Sequence, residues 1–260
     1  MKNGHNVEFR NTDVYTQINT TAALVAGVME TEFTIRDLSE WGDFGLGCTK
    51  GMQESVLLLD NQTYVNKVVK DDQKIGLFLL AFFEETNPVR LQQTMDLNDL
   101  RAYIDSALPT PNIMYAVKCK GKFESIQTSI PLSFQKPYPR VVPEMTDQSI
   151  NVEVENISGT IIAFWLPSFL SGINGGAGGL HAHFISDDRK FMGHVIDCKM
   201  TEGVLWIDAK HQLNLQLPKA DPAYYEVDLN GNEAMSRRVS EWIKEGIGGK
   251  EILPGATIKA

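Results

Sequence analysis

Three of the chain's five histidines, His181, His183 and His194, lie in one short stretch, GGLHAHFISDDRKFMGHVID. Side chains alternate faces along a β-strand, so His181 and His183 on a strand point the same way, with Cα atoms roughly 6 to 7 Å apart. One metal ion can bridge that span. The run from 186 to 193 is rich in charge and closed by glycine, and reads as a turn that folds a second strand back and brings His194 beside the other two. Three neutral imidazoles leave one position open on a tetrahedral zinc ion, the arrangement of a zinc that does chemistry rather than one that only holds a fold together. An HxH pair alone would be ordinary polar surface; a third histidine across the hairpin favours a metal. Cys198, four residues beyond His194, falls on the same face of a regular strand, where a buried thiol near the site is favoured over a fourth ligand.

The totals narrow the partners. A balance of 24 basic against 33 acidic residues, with no basic stripe, argues against a nucleic-acid partner, whose phosphates need clustered Lys and Arg. No apolar run approaches the length of a membrane span, and MKNGHNVEFRN has no signal-like apolar core, so the chain reads as soluble with no membrane partner. Three widely spaced cysteines, Cys48, Cys119 and Cys198, form no disulfide framework and favour a reducing compartment, the cytoplasm.

The elements that must carry the histidines are mostly strands. Thr20 or Thr21 can cap a short helix reaching Met29, with Leu24 and Val28 on one face. The segment TEFTIRDLSEWGDFGLGCTKG, with Gly42, Gly45 and Gly47, reads as a tight loop bordering a pocket; lacking a GK[ST] ending, it is no phosphate loop. SVLLLDNQTYVNKVV reads as two strands turning at Asp60-Asn61, and IGLFLLAFF as a central strand buried on both faces. Leu97, Leu100, Ile104 and Leu108 mark a helix capped by Asp96 and stopped by Pro109. NIMYAVKCKGKFESIQTS reads as a hairpin turning at Lys120-Gly121-Lys122. The prolines of IPLSFQKPYPRVVP place a crossover or boundary near residue 140, between an N-terminal lobe (1–140) and a C-terminal one (141–260). Beyond it lie the strand GTIIAFWL, the histidine hairpin, a strand at 204–208, the alternating Leu213, Leu215 and Leu217, and a last helix at 232–245.

GIN, HxHFISDDR and GHV together resemble the α-acetolactate decarboxylase family, and WGDFGLG, LPTPNIMYAVKCKGKF, QKPY and GTIIAFWLP fit it in order over nearly the whole chain. The resemblance implies an α+β fold of two β-rich lobes, the first a mixed sheet with helices and the second a mostly antiparallel sheet or barrel, with a Zn2+ site between them and a homodimer as the assembly. It implies a zinc held by His181, His183 and His194, and loss of CO2 from a small 2-hydroxy-3-oxo acid, 2-hydroxy-2-methyl-3-oxobutanoate, to give acetoin without an organic cofactor. Zinc bound by adjacent ketone and hydroxyl oxygens can hold the electron pair left by CO2 as an enediolate.

The family also uses a glutamate and an arginine near the metal and a glutamate near the C-terminus. Here direct alignment puts Ser55 at the first glutamate, with Glu54 one residue away and on the other face of a regular strand. Ser129 stands at the arginine, Cys48 at a common threonine, and Glu245 matches the C-terminal glutamate. A serine supplies neither a fixed cation nor forked donors. The resemblance therefore implies a lyase of this kind, or a diverged homologue acting on another 2-hydroxy-3-oxo acid or carbonyl compound, or a protein that only binds a metal or ligand. Asp187 and Gly193 can be forced onto a cupin pattern, in which a carboxylate would join the metal; Arg189 with Asp187 and Asp188 reads instead as turn bracing.

Overall fold

The structure is a computed structural model and describes residues 10–66, 70–131, 133–139, 149–174 and 179–229. In chain order the elements are β1 (Val14–Ile18), α1 (Thr21–Val25), β2 (Phe44–Thr49), β3 (Ser55–Leu59), β4 (Gln62–Val65), β5 (Ile75–Ala81), β6 (Val89–Leu91), β7 (Met95–Asp96) and α2 (Leu97–Ala107). There follow β8 (Met114–Pro131), β9 (Ser149–Leu166), β10 (Gly179–Ser186), β11 (Met192–Lys210), β12 (Gln212–Gln216) and α3 (Pro222–Glu226). The fold is α+β, rich in strands, and among the described residues the strands form two six-stranded sheets. The first runs β12-β1-β5-β2-β3-β4; the second runs β10-β9-β8-β11-β6, with β7 also on β11. Strands from both sides of residue 140 enter both sheets.

The apolar run of β5 sits mid-sheet, buried from end to end. Its alternate residues serve two cores. Leu77, Leu79 and Ala81 join Phe44, Leu46, Leu57 and Leu59 in a core shared with Ala116, Ile162, Phe164, Ile185 and Met192 of the second sheet. Phe78 and Leu80 face the other way, onto Ile18, Ile35, Leu38, Val56 and Leu58. The second sheet divides its side chains likewise: Val117, Cys119, Ile161, Ala163, Ala182 and Phe184 turn from the shared core and pack with Leu97, Leu100 and Ile104 of α2. The cap of α2 is as read from sequence, with Asp96 accepting from Asp99 N at 2.8 Å. The Asp60-Asn61 turn also forms, both residues taking positive φ between β3 and β4.

Several sequence readings need correction. The helix after Thr20 stops at Val25, followed by Gly27 at φ 91°. Gly45 and Gly47 lie in a buried strand, β2, rather than a loop: a Cβ at Gly47 would stand 2.2 Å from the Leu77 carbonyl oxygen and 2.5 Å from the Phe78 ring. The hairpin at Lys120-Gly121-Lys122 is not there, because β8 continues unbroken through it. Gly121 instead faces Gly159 on one side and Gly203 on the other, so backbones cross closely at a point where a Cβ on Gly121 would meet the Glu202 carbonyl oxygen at 2.3 Å. Residues 204–208 belong to the longer β11. The expected helix at 232–245 lies outside the described residues, as does Glu245. No helix among the described residues is long and apolar enough to cross a membrane.

Candidate metal centre

The histidine hairpin forms as its alternation requires. β10 and β11 pair antiparallel with His183 opposite His194, joined through the turn at residues 187–191. That turn is held by the Ser186 hydroxyl, which donates to Asp188 at 2.7 Å and accepts from the backbone N–H of Lys190 and Phe191. Arg189, at φ 63°, donates to the Ser186 carbonyl and lies over the Tyr64 ring, so it braces the turn without an Asp partner. Asp187 lies 4.0 Å from Lys120 and is no part of the histidine group.

Opposite residues of paired strands share a face, about 4.7–4.9 Å apart from strand to strand. His183 stands between Ile162 and His194, and His194 between His183 and Ser129. His181 is opposite Phe164. Ile162 and Phe164 belong to the core between the sheets, so the imidazoles emerge on that inner side. Their ring centroids are 5.3, 5.0 and 5.2 Å apart, and one nitrogen from each lies within 4.8 Å of the others. Among the described residues this is the one such group, and it holds no carboxylate, which removes the cupin-like ligand set.

The electrostatics suit a metal. Burial, then the charge of His194, holds His181 well below the ordinary imidazole range; burial, then His194 and His181, does the same to His183. Burial and the Arg101 guanidinium bring His194 down to about 4. All three rings are therefore neutral near pH 7, with lone pairs to offer. His183 Nδ1 is buried with no hydrogen-bond partner, whereas His181 Nδ1 lies 2.7 Å from Asn174 Oδ1. A buried ring nitrogen without a partner on His183, beside two half-buried imidazoles, fits a cation better than it fits simple packing.

The other sequence candidates fall at different distances from this group. Ser129, buried on β8, is the ladder neighbour of His194. Ser55, also buried, opens β3 opposite Cys48 and shares the parity of Leu57 and Leu59, which face the shared core; β3 lies against β11. Glu54 precedes the strand in a turn closed by its backbone N–H on Thr49 Oγ1 and by Thr49 N on its carbonyl, both at 3.0 Å. It is half-buried and does not join the histidine group. Burial pushes the Cys48 and Cys198 thiols up to about 12, so both stay protonated. Cys198 is not on the histidine face: a bulge between Val195 and Asp197 reverses the alternation and sends it into the α2 core. Sequence reasoning passed over Asn174, whose only signal was its place in GIN, and Arg101, which lies on α2 outside any motif.

Comparison with known proteins identifies the family. The family model for alpha-acetolactate decarboxylase matches residues 15–231. A protein of Methanosarcina mazei named alpha-acetolactate decarboxylase is 33% identical over 227 residues, covering 85% of this chain and 77% of that protein. One of the same name from Bacillus licheniformis is 28% identical over 230 residues, 86% of this chain and 89% of that protein. The crystal structure of alpha-acetolactate decarboxylase from Bacillus subtilis strain 168 superposes with a TM-score of 0.81 at 26% identity, over 88% of this chain and 99% of that one. With the matched region spanning both sheets and all three histidines, this chain belongs to the alpha-acetolactate decarboxylase family.

Proposed function

We propose that the chain is a zinc-dependent lyase that converts 2-hydroxy-2-methyl-3-oxobutanoate to acetoin and CO2. The observation that carries the reading is the neutral, mutually adjacent set His181, His183 and His194 on the inner face of the second sheet, within a chain of this family. Zinc bound there would supply Lewis-acid stabilisation of the charge that develops as CO2 leaves. The imidazoles would hold the ion from β10 and β11, strands whose registers are locked by neighbours on both sides. The Ser129 hydroxyl, next to His194, is an uncharged donor for substrate oxygen; Ser55 and Cys48 offer neutral groups from the facing sheet. Glu54 and Glu245 are the carboxylates proposed to manage the proton that replaces CO2. The assay is acetoin formation from racemic substrate with and without chelator. No acetoin from zinc-loaded protein at high concentration would exclude this activity.

A second reading is favoured by Ser55 and Ser129 standing where the family places a glutamate and an arginine. In it the same zinc chemistry acts on a different 2-hydroxy-3-oxo acid or carbonyl compound, since a hydroxyl beside His194 cannot clamp a carboxylate as a guanidinium does. A Ser55→Glu, Ser129→Arg variant that gains at least about tenfold in acetoin formation supports this reading; a fast wild type with no gain in the variant rejects it. Homodimer formation and a cytoplasmic site are proposed with it; light scattering giving a single-chain mass would remove the dimer.

A further inference from the structure

We propose that Asn174 is a positioning residue of the metal centre, which fixes His181 in the tautomer and orientation that leave Nε2 free for the metal. The inference rests on the metal-binding part of the function proposed above. Asn174 Oδ1 lies 2.7 Å from His181 Nδ1, and Asn174 is 2% exposed, so water has little access to the amide. A carbonyl oxygen can only accept. The ring therefore carries its proton on Nδ1 and keeps the lone pair on Nε2, and a proton held there also makes Nε2 the better donor to a cation.

The loop that bears Asn174 is pinned by α1 and by β1 of the first sheet. Backbone N–H groups of Thr21 and Ala22 donate to the carbonyls of Ile173 at 2.9 Å and Gly172 at 3.0 Å. The Gln17 amide also donates to the Ile173 carbonyl, and Gln17 itself accepts from the buried Tyr15 hydroxyl. Tyr15 packs on Phe164 at 5.2 Å, and Phe164 is the ladder partner of His181. His181 is thus held from two directions, through Asn174 and through Phe164, by residues of β1 and the start of α1. His183, by contrast, has its Nδ1 buried without a partner, so its ring is not oriented in this way. The amide's other end, Asn174 Nδ2, is likewise buried and unpartnered. An aspartate would keep the acceptor and remove that orphan donor.

The test compares zinc affinity, measured by chelator competition, in wild type, Asn174→Asp and Asn174→Leu, with circular dichroism establishing that each is folded. Asn174→Leu is expected to bind zinc about 10- to 100-fold more weakly, and Asn174→Asp as tightly as wild type or more so. A folded Asn174→Leu with wild-type zinc affinity overturns the proposal, because a merely structural role would lower stability and leave the affinity of folded protein alone. Should Asn174→Leu not fold, wild type decides. Long-range 1H–15N spectra of the metal-free protein at neutral pH are expected to show His181 protonated on Nδ1; protonation on Nε2 overturns the proposal. Wild type that binds no zinc would instead reject the metal-dependent function itself.

Discussion

At the scale of residues, the histidines were legible because strand alternation and a glycine-closed turn are local rules, and His181, His183 and His194 obey both. Cys198 was not, because one bulged residue, invisible to a count of four, reverses its face. Asn174 was not, because its partner lies across a glycine-rich link whose path no local rule predicts. Two predictions belong here. His183→Ala removes the central ligand and is expected to lower zinc affinity and acetoin formation together by at least about 100-fold, read by metal analysis and assay on the same sample. The second concerns acid. His194 is brought from an ordinary 6.5 to about 4, so between those values the unfolded chain holds more protons than the folded one, and stability rises with pH across that window. Metal-free protein is therefore expected to lose unfolding free energy steadily as pH falls from 7 to 5, and a His194→Gln variant to lose less. Urea denaturation at each pH checks this, and a flat profile in wild type contradicts it.

At the scale of elements, α2 and β5 could be read directly: one has an acid cap and apolar spacing, the other an unbroken apolar run. The glycine-rich segments misled. Glycine signals a turn when its backbone is free, but at Gly47 and Gly121 it signals the close approach of a strand distant in sequence, and that neighbour is not written locally. Gly47→Ala puts a methyl group 2.2 Å from a carbonyl of β5 and is expected to cost about 1–3 kcal/mol in a denaturant titration, more if β2 cannot shift. Asp96→Ala, which removes the side-chain cap of α2 at the end of β7 and leaves the histidine strands unaltered, is expected to cost about 1 kcal/mol and to leave zinc affinity unchanged.

At the scale of the whole molecule, the strand content was legible but the exchange of strands between sheets was not. The alternating leucines around β12 mark a strand, yet nothing in them says that it pairs in parallel with β1, from the other end of the chain. At the end of β11 a buried cation ties the sheets together. Lys210 Nζ, fully buried, donates to Asp208 at 2.6 Å, to the Phe82 carbonyl at 3.0 Å and to the Thr12 carbonyl, while Asp208 also accepts from Glu84 N at 2.8 Å. Burial pushes the Asp208 carboxyl up against the pull of Lys210. Lys210→Met leaves that acid without its cation and is expected to cost about 3–5 kcal/mol in thermal or denaturant unfolding, a loss that Asp208→Asn in the same chain partly restores. The sheets so joined enclose the face from which the three imidazoles emerge, and the account stands or falls on what they hold. The most direct measurement is acetoin formed from racemic 2-hydroxy-2-methyl-3-oxobutanoate by protein whose zinc content is determined on the same sample, before and after chelation. The expected result is one zinc per chain, acetoin formation lost on chelation and restored by zinc. Acetoin formation untouched by complete removal of metal, or none from the fully loaded protein, would contradict it.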